Sequence, residues 1–194
     1  MIIKVCGMRE PQNIREVAAL AINWIGFIFY ERSKRFVERC PTEQQVTDSE
    51  QLSPKKVGVF VNATIESMME KASAYKLDYL QLHGNESPED CHTLQKRGYS
   101  LIKAFPIATK EDFEKTREYE GRVDYFLFDT RCEGYGGSGK RFDWSILTEY
   151  KGETPFLLGG GIRPENAEAI RNFRHPRLAG IDLNSGFEIE PGLK

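Results

Sequence analysis

Long apolar runs are missing from this chain: no stretch approaches the ~20 residues that a membrane-spanning helix needs. An excess of one charge is missing too. Twenty-seven Lys and Arg oppose 29 Asp and Glu, giving a formal net charge of -2. A near-neutral chain offers no broad footprint for nucleic acid or an anionic membrane, and leaves room only for a local anion site. Cysteine is sparse. Cys6, Cys40, Cys91 and Cys132 form neither a CxxC pair nor a zinc-knuckle spacing, so they read as free thiols and no metal is expected. The start has no signal-peptide core; Met1 to Val5 passes at once into Cys6-Gly7-Met8-Arg9-Glu10. These absences predict a cytoplasmic protein with no nucleic-acid or membrane partner. What remains is a globular mixture, 40% hydrophobic and 29% charged. The 194 residues suffice for one domain and fall short of two of ordinary size, so 1–194 reads as a single domain.

The strongest positive signal is a rhythm. Short β-branched and aromatic runs alternate with longer stretches of helical period. Eight runs read as strands: Ile2 to Cys6, Trp24 to Phe29, Lys56 to Val61, Tyr79 to His83, Leu101 to Phe105, Val123 to Asp129, Pro155 to Gly159 and Leu178 to Leu183. Helix starts lie between them, at Pro11, at Thr64, at Ser87-Pro88-Glu89-Asp90, at Thr109 and at Pro164. Such alternation predicts an α/β fold with a parallel sheet, either a closed (β/α)8 barrel or an open doubly wound sheet. The open sheet carries its glycines after the first strand. Here they gather late, at Gly134 to Gly139, Gly159 to Gly161 and Gly186, which favours the barrel. The barrel is expected to be small and, with only Asn184 to Lys194 after the eighth strand, to lack a final helix, so that the outer faces of strands eight and one are expected to lack their usual cover.

Barrel active sites sit at the C-terminal ends of the strands. Three reactive groups fall there: Cys6, His83 and Asp129. Singly, each has a plain structural reading; together they point to one site. Strand parity puts Lys4 on the face of Cys6, and Gln81 on that of His83. A buried Lys4 needs a carboxylate, and in a closed barrel Asp182 is the candidate. Gly159-Gly160-Gly161 with Asn184-Ser185-Gly186 suits a phosphate cradle of backbone N–H groups. The segment Gly134 to Lys140 mimics a nucleotide loop, but Arg141 stands where that loop needs Ser or Thr, so it reads as a lid. Arg32-Ser33-Lys34-Arg35, on spacing alone, is a solvated cationic turn. A competing chemistry based on a strand-end lysine would turn to Lys103, and a barrel that only binds a phosphorylated metabolite would have no use for Cys6 or Asp129.

The set of motifs resembles the phosphoribosylanthranilate isomerase family. The pieces are Lys4-Val5-Cys6-Gly7, Gly26 to Tyr30 with Ser33-Lys34-Arg35, Val57 to Asn62, and Gln81 to Gly84. Phe126 to Thr130, Tyr135 to Lys140 with Phe142-Asp143-Trp144, Gly159 to Ile162 with Pro164-Glu165-Asn166, and Asp182 to Gly186 with Pro191-Gly192 complete it. The resemblance implies a (β/α)8 barrel that needs no cofactor and performs an Amadori rearrangement in tryptophan biosynthesis. It implies Cys6 as general base, Asp129 as general acid, Arg35 on the anthranilate carboxylate, and His83 beside the substrate. It implies Gly160, Gly161, Asn184 and Ser185 at the phosphate, with Asn184 replacing a usual Ser. Lys4 is expected to favour the Cys6 thiolate, and Arg35 to lie across the mouth from the Gly-rich loops. A small phosphorylated molecule is the expected partner, and the chain is expected to be a monomer or homodimer.

Overall fold

The computed structural model describes residues 1–37, 54–130 and 144–194. Cys40, Cys132, the Gly-rich lid and the Phe142-Asp143 pair lie outside the described residues.

Eight parallel strands form the fold: β1 (Ile2–Val5), β2 (Trp24–Ile28), β3 (Lys55–Phe60), β4 (Tyr79–Leu82), β5 (Ser100–Ile107), β6 (Tyr125–Thr130), β7 (Phe156–Gly159) and β8 (Leu178–Leu183). Each pairs with the next, and β8 returns to β1 in register from Ile2↔Gly180 to Val5↔Leu183, so the barrel is closed. The expected strands are all present, with ends shifted by a residue or two. The chief difference is β5, which extends to Ile107.

The helices start where their caps predict. Helix α1 (Pro11–Ala18) has Pro at its first position. Helix α2 (Ile65–Ala74) is capped by the Thr64 side chain, which accepts from Ser67 N at 3.2 Å. Helix α3 (Pro88–Lys96) carries a full capping box, with Ser87 and Asp90 bonding reciprocally. A short 3-10 turn, Pro164–Asn166, opens α4 (Ala167–Asn172). The segment after Thr109 differs from an α-helix: Lys110–Tyr119 is 3-10. Its buried residues, Phe113 and Thr116, are three apart, and a three-residue turn stacks them on one face.

The main core lies between the sheet and the helices. Phe60, Leu82, Phe126, Phe128 and Phe156 are buried there with Met68, Leu94 and Leu147. A second cluster packs Ile14 and Val17 of α1 onto Val5, Ile25 and Phe27. After β8 the described chain makes one 3-10 turn, Ser185–Phe187, and a bridge between Glu190 and Leu193. On the outer face of the closing seam Val5 and Ile181 are buried, while Ile3 and Leu183 are half-buried.

Side-chain parity stacks the barrel interior in layers. At the bottom, Trp24 packs against Tyr79 and Tyr125, with ring centroids 4.6 and 5.2 Å apart. Two residues on lie Lys4, Gln81, Leu127 and Asp182. Two residues further come Cys6, His83, Asp129 and Asn184, at the open end. No helix among the described residues is long and apolar enough to cross a membrane.

Candidate active site

A cavity of about 320 Å³ opens at the C-terminal ends of the strands. Cys6, Gln81, His83, Asp129, Gly160, Gly161, Asp182, Asn184 and Ser185 all line it. Seven of the eight expected site residues thus meet in one hollow, and Arg35 is the one that does not line it.

The floor is polar and tightly bonded. Lys4 is fully buried, and its Nζ donates to Asp182 Oδ1 at 3.0 Å, Asp182 Oδ2 at 3.1 Å and Gln81 Oε1 at 2.8 Å. The expected Lys4–Asp182 ion pair is therefore present, with an amide the expectation omitted. Burial works against the Lys4 ammonium, but Asp182 and Cys6 outweigh it and hold the group above its ordinary range.

Cys6 lies directly past β1, and its N–H donates to Leu183 O at 2.8 Å, which anchors it to β8. Burial pushes the Cys6 thiol up. Lys4 and, less strongly, Lys194 pull the other way, but they do not overcome burial. The expectation that Lys4 would favour the thiolate is right in sign and insufficient in size: the low dielectric that strengthens its attraction also penalises the anion itself.

His83 follows β4, with its N–H donating to Phe60 O at 2.8 Å. Its Nδ1 lies 2.8 Å from Gln81 Nε2, and its Nε2 lies 3.5 Å from Asp129 Oδ2. Both His83 and Asp129 are about a third exposed, at 33% and 30%. Below them, Lys103 points away from the cavity. Its Nζ donates to Gly84 O at 2.7 Å and to Glu86 Oε2 at 3.1 Å, while Glu86 accepts from Asn62 N at 2.7 Å and Gly84 N at 2.9 Å. Lys103 is one residue out of phase with the inward-facing Ile102 and Ala104, so it ties the loops after β3 and β4 together and is not a strand-end nucleophile.

Arg35 is held from both ends. Its N–H donates to Ser33 Oγ at 3.0 Å, and its Nε and Nη2 reach Glu188 at 2.7 and 2.5 Å. Glu188 also accepts from Lys194 Nζ at 2.6 Å and Gly192 N at 3.1 Å. Burial would raise the Glu188 carboxyl, but Arg35, Lys194 and Gly192 N–H hold it down at about 2. The tail is itself pinned by Asn13, which exchanges two hydrogen bonds of 2.8 Å with the Lys194 backbone. Nothing in the residue pattern singled out Glu188 or Lys194. Their importance arises because the tail folds back over the mouth.

Asn184 lines the cavity together with Gly160, Gly161 and Ser185, and its side chain reaches toward Arg35. A Cβ on Gly7 would lie 2.7 Å from Arg35 Cδ and 2.8 Å from Asn184 Oδ1, so Asn184 and Arg35 converge beside Cys6. Asn184 Oδ1 accepts from Lys194 Nζ at 3.0 Å. Its side chain thus belongs to the Arg35 side of the mouth. The other Gly-rich turn, after β7, has Gly160 and Gly161 at φ 82° and 64°, the left-handed region that favours glycine. A Cβ on Gly161 would meet nothing within 4 Å, so that turn faces open space.

The sequence model of the N-(5'phosphoribosyl)anthranilate (PRA) isomerase family matches residues 3–194. The chain is 97% identical over 194 residues to an N-(5'-phosphoribosyl)anthranilate isomerase of Parabacteroides distasonis, covering 100% of this chain and 88% of that one. Phosphoribosyl anthranilate isomerase from Thermotoga maritima superposes with a TM-score of 0.85 at 32% identity, covering 100% of this chain and 93% of the other. A phosphoribosyl anthranilate isomerase solved in complex with reduced 1-(o-carboxyphenylamino)-1-deoxyribulose 5-phosphate gives 0.82 at 30% identity, over 100% and 92%. With eight strands closed around this cavity and a family match from the first strand to the tail, the chain belongs to the phosphoribosylanthranilate isomerase family.

Proposed function

We propose that this cavity isomerises N-(5-phosphoribosyl)anthranilate to 1-(2-carboxyphenylamino)-1-deoxyribulose 5-phosphate with Cys6 as general base and Asp129 as general acid. The observation that carries the assignment is that Cys6, Asp129 and the Gly160–Gly161 turn line one cavity. Protonated Asp129 gives its proton to the ribose ring oxygen. The C1–O bond breaks as the anthranilate nitrogen forms a C1=N bond, leaving an iminium. The Cys6 thiolate then removes the C2 proton, and those electrons make the C1=C2 enolamine. Protonation at C1 and loss of the proton from the C2 hydroxyl yield the ketone. Lys4, buried under Cys6, favours the thiolate that the second step needs.

Binding divides between two ends. Arg35 takes the anthranilate carboxylate. Glu188 occupies the Nε–Nη2 edge of its guanidinium, and the Nη1 edge of the planar fork serves the substrate. Backbone N–H groups of Gly160, Gly161 and Ser185 take the phosphate, with Asn184 contributing through its backbone. His83 lies beside the substrate. Residues 1–194 act as one domain on a small phosphorylated molecule, in the cytoplasm, as a monomer or homodimer.

The test follows the loss of phosphoribosylanthranilate fluorescence. Cys6→Ala and Asp129→Asn should each lower kcat by about 10²-fold or more, the scale for removing a positioned base or acid. Affinity for a product analogue should hold, since neither group is a main grip. Full turnover in either variant would refute that residue's role. With the Cys6 thiol pushed up, kcat/KM should climb toward alkaline pH, and Cys6→Ser should abolish that limb.

A further inference from the structure

The hydrogen bonds below the mouth contain a chain of forced choices. Lys4 Nζ lies 2.8 Å from one end of the Gln81 amide. An ammonium only donates, so that end is the carbonyl oxygen. The other end, 2.8 Å from His83 Nδ1, is therefore the NH2 group. An amide NH2 only donates, so His83 Nδ1 accepts and carries no proton. In an imidazole whose Nδ1 accepts, the ring proton sits on Nε2, and Nε2 is the ring nitrogen that lies 3.5 Å from Asp129 Oδ2.

From this geometry we infer that the Lys4–Gln81 pair locks His83 as the neutral Nε2–H tautomer, and that His83 is the positioning residue for Asp129. The inference deepens the proposed function, because it rests on Asp129 being the acid. An imidazolium beside Asp129 would hold it as a carboxylate, with no proton to give. A neutral N–H can orient one carboxyl oxygen and still leave the acid protonated. The approach of 3.5 Å is a few tenths of an ångström beyond the usual N–H···O length of about 2.9–3.0 Å, and hydrogen bonds of this kind tighten when substrate fills a site.

The lock has rigid supports. Lys4 and Gln81 are 0% and 1% exposed. Asp182 holds Lys4 with both oxygens, and the barrel closure puts Asp182 directly opposite Lys4 in register. The His83 ring is carried on a backbone fixed by Phe60 O and by the Lys103–Gly84 bond. The charged groups around the ring are Asp129 from β6, Asp182 from β8, and Lys4 from β1 through Gln81. The Gln81 NH2 keeps a proton off Nδ1, since a protonated Nδ1 would set two donors against each other at 2.8 Å.

The chain holds three histidines, His83, His92 and His175. Two-bond 1H–15N correlation spectra of the labelled wild-type protein at neutral pH, with His83→Asn to assign the peaks, read the ring state directly. Expected is one protonated nitrogen on His83, Nε2, and an unprotonated Nδ1. A protonated Nδ1, alone or in an imidazolium, overturns the inference. Gln81→Glu supplies a second reading. It places a carboxylate against Nδ1, so both His83 nitrogens should become protonated. Its kcat should fall about tenfold or more, the worth of one hydrogen bond to an ionising group, while KM moves less than about twofold. An unchanged kcat in a folded Gln81→Glu protein with an imidazolium His83 would also overturn it. Failure of the acid assignment looks different. It appears as full turnover in Asp129→Asn, whatever tautomer the spectra report.

Discussion

At the residue scale, Glu188 ties the mouth of the barrel together. Its side chain is 5% exposed and takes Arg35, Lys194 and the Gly192 N–H at once. Two consequences follow. Arg35→Ala should raise KM about tenfold or more with a smaller change in kcat, and Glu188→Gln should follow in the same direction because it loosens the Arg35 grip. The second consequence concerns acid. The Glu188 carboxyl is depressed from its ordinary 4.5 to about 2, so its stabilisation is complete above about 4.5 and is lost as pH falls toward 2. Urea midpoints of wild type and Glu188→Gln should differ near neutrality and converge over that window. A difference that stays constant down to pH 2 would contradict the role. Arg35 was visible in the sequence only through the family resemblance, since as a pattern Arg32 to Arg35 is an ordinary cationic turn. Glu188 was not visible at all. Its partner lies 153 positions away, and no local spacing encodes that meeting.

At the element scale, caps decide where the helices begin. Ser87 and Asp90 satisfy each other's backbone N–H groups at the start of α3. Ser87→Ala removes one of those acceptors and should lower stability by about 1 kcal/mol, read as a shift in the urea midpoint with an unchanged slope. An unshifted midpoint would mean that water replaces the cap. These starts were legible because a cap is a matter of three or four consecutive residues. The 3-10 character of Lys110–Tyr119 was not. Thr109 and Asp112 announce a helical start, and Asp112 does accept from the Thr109 N–H at 3.0 Å. The pitch was then set by which residues the barrel wall accepts, and it accepts Phe113 and Thr116. Strand β5 shows the same division: its apolar heart was plain, while its extension to Ile107 comes from pairing with β6 as far as Thr130.

At the scale of the whole molecule, the fold depends on one seam, where β8 meets β1. Gly180 lies directly opposite Ile2, and a Cβ there would collide with the Ile2 carbonyl oxygen. Backbone cannot swing aside as a flexible side chain can, so Gly180→Ala should cost about 1–3 kcal/mol as overpacking and strain at the closure. The urea midpoint measures it, and a value equal to wild type would show the seam to be pliable. The alternation of eight strand-like runs with capped helices, the late glycines, and the parity that puts Lys4 under Cys6 and Gln81 under His83 were all set by the sequence itself. They rest on local sterics and the two-residue period of a strand. What only the tertiary structure decided are the relations between strands far apart in the chain. Closure set Asp182 against Lys4 and brought Gln81 within 2.8 Å of Lys4, and the loop after β4 brought Glu86 onto Lys103. The same closure buried the Cys6 thiol deeply enough to outweigh Lys4. Burial and long-range pairing are properties of the closed barrel, and no window of sequence contains both partners.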